Sequence, residues 1–257
     1  MNKKILKLLK KKNKIPIVCL TAYSKSIAKI LDNICDVVLV GDSLAHVLYG
    51  MKNTHNINLD TMIKHAKSVG SGTKKSLVVV DMPINTYKNK KMALKNAKQI
   101  MKFSKCDAVK IENNGKNYNI INELTMSKIP VMGHIGFTPQ FKKKFKKEGI
   151  NSYQEKKLIK EAKKIETEGA FSIVLECISS KVAKKITKSL KIPTIGIGSS
   201  AHCDGQILVT DDMLGLSGFY PKFVKKYVNL NKIIEKGIQK YKKEVIKKIF
   251  PKKINSY

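Results

Sequence analysis

Asp42, Asp81, Lys110, Glu112, His134 and Glu176 share a placement: each follows, or closes, a short run of apolar residues. "VVLVG" leads to Asp42 and Ser43, "LVVV" to Asp81, "AVKIE" presents Lys110 and Glu112, "PVMG" leads to His134 and "SIVL" to Glu176. Three carboxylates (Asp42, Asp81 and Glu112) with no Cys or paired-His motif beside them suit a hard, oxygen-loving ion such as Mg²⁺ better than zinc. Glu176 has no metal duty in that arrangement and is a candidate general base whose pKa would rise on burial. Lys110 could balance a substrate carboxylate, since the chain contains no Arg. The combination suits proton abstraction beside a carbonyl, with a metal stabilising the enolate.

Taken singly, each residue has a plainer reading. Asp42 or Asp81 could cap the helix that follows. Lys110 and Glu112 are two apart, share a strand face and could be a structural ion pair. His134 could be a hydrogen-bonded core histidine. Glu176, directly after three apolar residues, resists such a reading because an unpaired buried carboxylate is expensive. Five strands ending alike argue for one shared site.

Those residues converge only if the runs that carry them are parallel strands. "IPIVCLTA", "DVVLVGDS", "SLVVVDMP", "DAVKIE", "IPVMGHIG", "FSIVLE", "IPTIGIG" and "GQILV" alternate with Lys-rich helical patterns such as "MALKNAKQIMKFSK" and "EKKLIKEAKKIETEGA". Continuous Val/Ile/Leu runs suit strands covered on both faces. About eight βα units in 257 residues fit an α/β protein of the (β/α)8 TIM-barrel class, a single catalytic domain over 1–257 whose strand ends meet at one mouth. An open doubly wound sheet is the alternative, but it normally carries a Gly-rich phosphate turn after its first strand, and "TAYSKS" is not one. "MNKKILKLLKKKNK" reads as an opening N-terminal helix. "NLNKIIEKGIQKYKKEVIKKIF" reads as a closing C-terminal helix that ends before Pro251 and packs on the barrel. The "IGIGSS" turn reads equally as a backbone anion site or a tight barrel turn.

Composition narrows the class. The formal charge of +32 comes from 51 basic residues, all Lys, spread along the helical segments. Without the planar fork of Arg, specific nucleic-acid recognition is not expected, and only weak attraction to polyanions follows. Five scattered cysteines without a Cys-x-x-Cys pair point to reduced thiols in a cytoplasmic protein. No apolar run is long enough to span a bilayer.

The chain resembles the ketopantoate hydroxymethyltransferase family of pantothenate biosynthesis. The resemblance is carried by "TAY" at Thr21, "LVGDSL" at Leu39, "DMP" at Asp81, "AVKIE" at Ala108, "PVMGHIGFTPQ" at Pro130, "IVLE" at Ile173, "IPTIGIG" at Ile192 and "CDGQILV" at Cys203. The motifs stand in family order up to "PKFVKKY" at Pro221. The resemblance implies a TIM barrel, usually a homodecamer, holding one Mg²⁺ per subunit through Asp42, Asp81 and Glu112. Ser43 and Lys110 would hold the carboxylate of a 2-oxo acid that chelates the metal, with His134 hydrogen-bonding the substrate. Glu176 would take the C3 proton of 3-methyl-2-oxobutanoate. The enolate would then attack the methylene carbon of 5,10-methylenetetrahydrofolate, the co-substrate, giving 2-dehydropantoate and tetrahydrofolate.

The chain departs from the family pattern at Ser24, where Asp is usual, and at Asn85 and Thr86, where Gly or Ser types are usual. It departs also in "ENNG" and in the Lys-rich stretch after Gln140. These departures bear on folate contacts more than on the metal site. The competing readings are another Mg²⁺-dependent 2-oxo-acid lyase or mutase on the same barrel, and a non-catalytic basic barrel.

Overall fold

The computed structural model describes every residue except Met1, Lys143 and Phe219, and Lys143 falls inside the Lys-rich stretch after Gln140. Eight parallel strands close into one barrel in sequence order. They are β1 (Ile17–Thr21), β2 (Val37–Val40), β3 (Leu77–Asp81), β4 (Ala108–Glu112), β5 (Val131–Gly136), β6 (Ser172–Glu176), β7 (Thr194–Ile197) and β8 (Gly205–Leu208). The closing pair β1–β8 is also parallel, with Ile17 opposite Gly205. The open doubly wound sheet is thereby excluded. The helices are α1 (Lys3–Lys10), α2 (Lys25–Leu31), α3 (Leu44–Val47), α4 (Leu59–Gly72), α5 (Lys90–Ser104), α6 (Tyr118–Met126), α7 (Ser152–Thr167), α8 (Ser180–Ser189), α9 (Thr210–Met213) and α10 (Leu230–Ile246).

The apolar runs hide a period of two, because both faces of each strand are buried but against different things. Val38, Val40, Val78, Val80, Val109, Ile111, Ile173 and Leu175 pack outward with helix residues such as Ala66, Ile100 and Ile165. Leu39, Leu77, Val79, Ala108, Met132, Val174, Ile195 and Ile207 fill the barrel interior. Continuing the inward set by two residues gives Asp81 after Val79, Lys110 and Glu112 after Ala108, His134 after Met132 and Glu176 after Val174. The barrel interior is therefore apolar below and charged above.

The opening helix is confirmed, and it plugs the lower end. Ile5 and Leu8 of α1 join the barrel-interior cluster. Its lysines reach acids that stand just before strands: Lys4 Nζ to Asp107 at 3.0 Å, Lys11 Nζ to Asp36 at 2.5 Å and Lys12 Nζ to Asp204 at 2.7 Å. Asp204 also accepts from the backbone N and Oγ1 of Thr194. Two glycines at strand ends allow close backbone approaches. A Cβ on Gly205 would lie 2.5 Å from Ile17 O, and Gly136, at φ +95°, would place one 2.1 Å from Glu176 O.

Residues 1–209 and 210–257 form two compact units. In the second, α10 spans Leu230–Ile246, inside the segment expected to be helical. The sequence leads one to expect a packed, closing helix; none of its residues is buried. Among the described residues no helix is long and apolar enough to cross a membrane.

Candidate active site

The strand register brings the charged layer together. Asp81 pairs with Lys110 across β3–β4, and Glu112 with His134 across β4–β5. Inward-pointing partners in such pairs lie side by side. Lys110 Nζ donates to Asp81 Oδ1 at 2.6 Å, while the other Asp81 oxygen accepts from the Asp42 backbone N at 3.1 Å. Both side chains are nearly sealed from solvent. Glu176, opposite Gly136 at the end of β6, places Oε2 3.2 Å from His134 Nε2, and Glu112 Oε1 is 3.5 Å from Nδ1 of the same ring.

This geometry decides between the plainer readings. Asp81 caps no helix, because α5 starts nine residues on and is capped by the Asn89 side chain. The side chain of Asp42 faces Gln140, whose Nε2 donates to Asp42 Oδ2 at 2.8 Å. Lys110 pairs with the aspartate of the neighbouring strand rather than with Glu112. His134 is buried between two carboxylates rather than among core polar groups, with Nε2 close to Glu176 Oε2 and neither contact of good hydrogen-bond alignment. Ser43 is half-buried and bonds through Oγ to the Tyr23 hydroxyl at 2.9 Å. Hydrogen bonds of Ser199 and Ser200 to Ile178 O and Ser180 Oγ support the turn reading of "IGIGSS".

Three residues of the site, Gln140, Tyr87 and Tyr23, have no role in the sequence reading. Gln140 is the hub. Besides Asp42, its Nε2 donates to Met82 O at 3.0 Å, its backbone N donates to Glu112 Oε2 at 3.0 Å, and its Oε1 accepts from the Tyr87 hydroxyl. Gln140 and Tyr23 lie in the quoted motifs "PVMGHIGFTPQ" and "TAY", and Tyr87 stands four residues after "DMP", so the signal present was motif membership or nearness alone.

Four buried carboxylates surround one ammonium here. Burial and then repulsion from Asp81 and Glu112 push the Asp42 carboxyl up to about 8. Burial likewise raises Glu112 to about 8. Burial would lower Lys110, but Asp81, Glu112 and Asp42 outweigh it, so the amine stays charged. Burial and then Lys110 lower the pKa of His134, which keeps the ring neutral beside Glu176. Burial raises the Glu176 carboxyl, against the opposing pull of His134.

A divalent cation fits this donor set. Excess buried negative charge is costly unless a cation balances it, and the acids are hard oxygen donors. Among the described residues no group of three or more His, Cys, Asp and Glu side chains forms a ready-made ligand cluster. Mg²⁺ itself needs only one or two carboxylates and keeps the rest of its positions for water and substrate.

Comparison with known proteins then decides the family. The family model described as ketopantoate hydroxymethyltransferase matches residues 2–253. The chain belongs to this family. The 3-methyl-2-oxobutanoate hydroxymethyltransferase of Pelagibacter ubique (strain HTCC1062) is 55% identical over 257 residues, all of both chains. The enzyme of the same name from Chelativorans sp. (strain BNC1) is 46% identical, covering 94% of this chain and 88% of its own. Among solved structures, a 2,3-dimethylmalate lyase of the PEP mutase/isocitrate lyase superfamily superposes with a TM-score of 0.64 at 13% identity, over 95% of this chain and 88% of that one. A phosphonopyruvate hydrolase in complex with oxalate and Mg²⁺ superposes at 0.62 and 12% identity, over 81% of each chain. At those identities the likeness is one of fold. This chain thus shares its barrel fold with enzymes of the lyase/mutase kind weighed above, while the family match over residues 2–253 places it among the ketopantoate hydroxymethyltransferases.

Proposed function

We propose that this protein transfers a hydroxymethyl group from 5,10-methylenetetrahydrofolate to 3-methyl-2-oxobutanoate, giving 2-dehydropantoate and tetrahydrofolate. The observation that carries the reading is the family match over 2–253, joined by relatives 43–55% identical over nearly the whole chain. Asp42 and Asp81 would hold one Mg²⁺ with Glu112 behind them, and the bound ion would supply Lewis-acid polarisation of the 2-oxo acid.

The chain's own residues supply the rest. Lys110, buried and charged, offers its ammonium to the carboxylate of the 2-oxo acid, with the Ser43 hydroxyl as a second donor. Glu176 takes the proton from C3, since its Oε2 faces the His134 ring and, among the described residues, no Lys or Gln hydrogen bond ties the carboxylate down. His134, neutral and 3.2 Å from Glu176 Oε2, can donate one N–H to the carboxylate or to the substrate. The apolar wall below, with Met132 and Val174, keeps water from the acids and raises Glu176 toward the pH at which it works. A homo-oligomer and a cytoplasmic location go with this reading, as does a folate at the barrel mouth.

A turnover assay with both substrates, with and without Mg²⁺, tests the proposal. Formation of 2-dehydropantoate only when metal and folate are both present is the expected result. Metal-dependent conversion of the 2-oxo acid with no need for folate would favour a lyase or mutase instead.

A further inference from the structure

A cavity of 660 Å³ lies beside the acid layer, where the loops after β3, β4 and β5 meet. Lys88, Lys90, Lys91 and Lys116 line it, and among the described residues no Asp or Glu does. Lys90 has a distant partner in Glu123, 3.7 Å away and partly exposed; Lys88, Lys91 and Lys116 form no salt bridge among the described residues. Tyr87 gives the cavity a buried aromatic wall, and Phe141 stands at its edge. Two lining residues also touch the site. The Tyr87 hydroxyl donates to Gln140, which holds Asp42, and Asn117 Nδ2 donates to Glu112 O at 3.0 Å. Cavity and acid layer therefore share walls.

The chemistry of the lining selects the ligand class. Four ammonium groups repel a metal ion and call for more than one negative charge, while the aromatic walls suit a flat ring. A small 2-oxo acid fills neither requirement. We infer that this cavity binds the glutamate carboxylates of the folate co-substrate, with the aromatic body of that molecule running along Tyr87 and Phe141 toward the acid layer. The inference rests on the reading of the reaction given above. It assigns to lysines of the β3 and β4 loops a task that no Arg in this chain can perform.

The test uses the full chain with Lys88→Gln, Lys91→Gln and Lys116→Gln combined, all at exposed positions, with the melting temperature checked against the unaltered protein. Neutralising Lys236, Lys240 and Lys243 on α10 in the same way serves as the control for net charge. The cavity variant should raise KM for 5,10-methylenetetrahydrofolate roughly tenfold with kcat nearly unchanged, as expected for lost charge pairing on a part of the ligand remote from the chemistry. With the methylene-tetrahydropteroate analogue, which lacks the glutamate, the variant and the unaltered protein should show the same KM. Folate-independent deuterium exchange into 3-methyl-2-oxobutanoate should be untouched. Turnover and exchange intact with KM unmoved would overturn the assignment, and so would an equal rise in the α10 control. Absence of both turnover and exchange in the unaltered protein would overturn the reaction reading, and this inference with it.

Discussion

Gln140 holds two carboxylates from different strands, and its amide orientation is fixed, because Nε2 has acceptors in Asp42 and Met82 O while Oε1 faces the Tyr87 hydroxyl. Replacing it by Leu leaves buried polar atoms on all three unpaired, each costing roughly 1–3 kcal/mol. We expect Gln140→Leu to lower the melting temperature and weaken Mg²⁺ binding measured calorimetrically, and Gln140→Glu to recover neither. Near-wild-type stability and metal affinity in both variants would contradict its role as hub. The Glu176 carboxyl is raised by burial, so as the proposed base it would become competent only above the ordinary Glu range near 4.3. The rate of C3 proton exchange should climb with pH along an acidic limb displaced upward from that value, and a limb at or below it would remove the desolvated-base account. At this scale the sequence announced Asp81, Glu112 and Glu176 because a charge closing an apolar run is anomalous. Gln140, Tyr87 and Tyr23 are uncharged loop or strand-end residues, and nothing in their neighbourhood marks them as buried until the barrel closes.

The elements place those residues through register, and the register depends on small features at the strand ends. Asp32, just past α2, accepts from the backbone N of Lys75 at 2.8 Å and of Ser76 at 2.9 Å, which docks the start of β3. Burial, which would raise its pKa, is outweighed by the backbone N–H groups of Ser76, Lys74 and Lys75, so the carboxyl is held below the usual Asp range. A depressed folded-state pKa means the stabilisation is complete above the unfolded value of about 3.9 and is lost as pH falls through the lower folded one. Asp32→Asn should therefore destabilise by roughly 1–3 kcal/mol at neutral pH, with the difference shrinking in acid. Chemical denaturation at several pH values measures this, and a pH-independent deficit would contradict it. The eight strands and the opening helix were legible because hydrophobic runs and Lys-rich helices alternate at barrel spacing. The plug formed by α1 was not, since Lys4, Lys11 and Lys12 reach acids between 25 and 192 residues away. The lack of burial along α10 was equally hidden, because amphipathicity shows that a helix has an apolar face without showing what covers it.

At the scale of the whole molecule, 51 lysines against 19 acidic residues dominate the outer surface, while the charged layer in the barrel carries a local excess of carboxylate. The two do not conflict, since the barrel wall separates them and surface charge is screened within about 8 Å at physiological salt. Diffuse charge of this kind predicts weak retention on polyanions such as heparin that vanishes at moderate salt. Retention with sequence or structural preference for an RNA would point to a dedicated surface instead. Under the proposed function the charged layer removes a proton from C3 of a bound 2-oxo acid. The most direct measurement is deuterium exchange at C3 of 3-methyl-2-oxobutanoate, followed by NMR in D₂O with Mg²⁺ and without folate. It should be run on the unaltered protein and on Glu176→Gln of matched melting temperature. Metal-dependent exchange in the first and its loss by two or more orders of magnitude in the second is the expected result, in line with removal of a general base. Exchange persisting undiminished in Glu176→Gln would contradict the account.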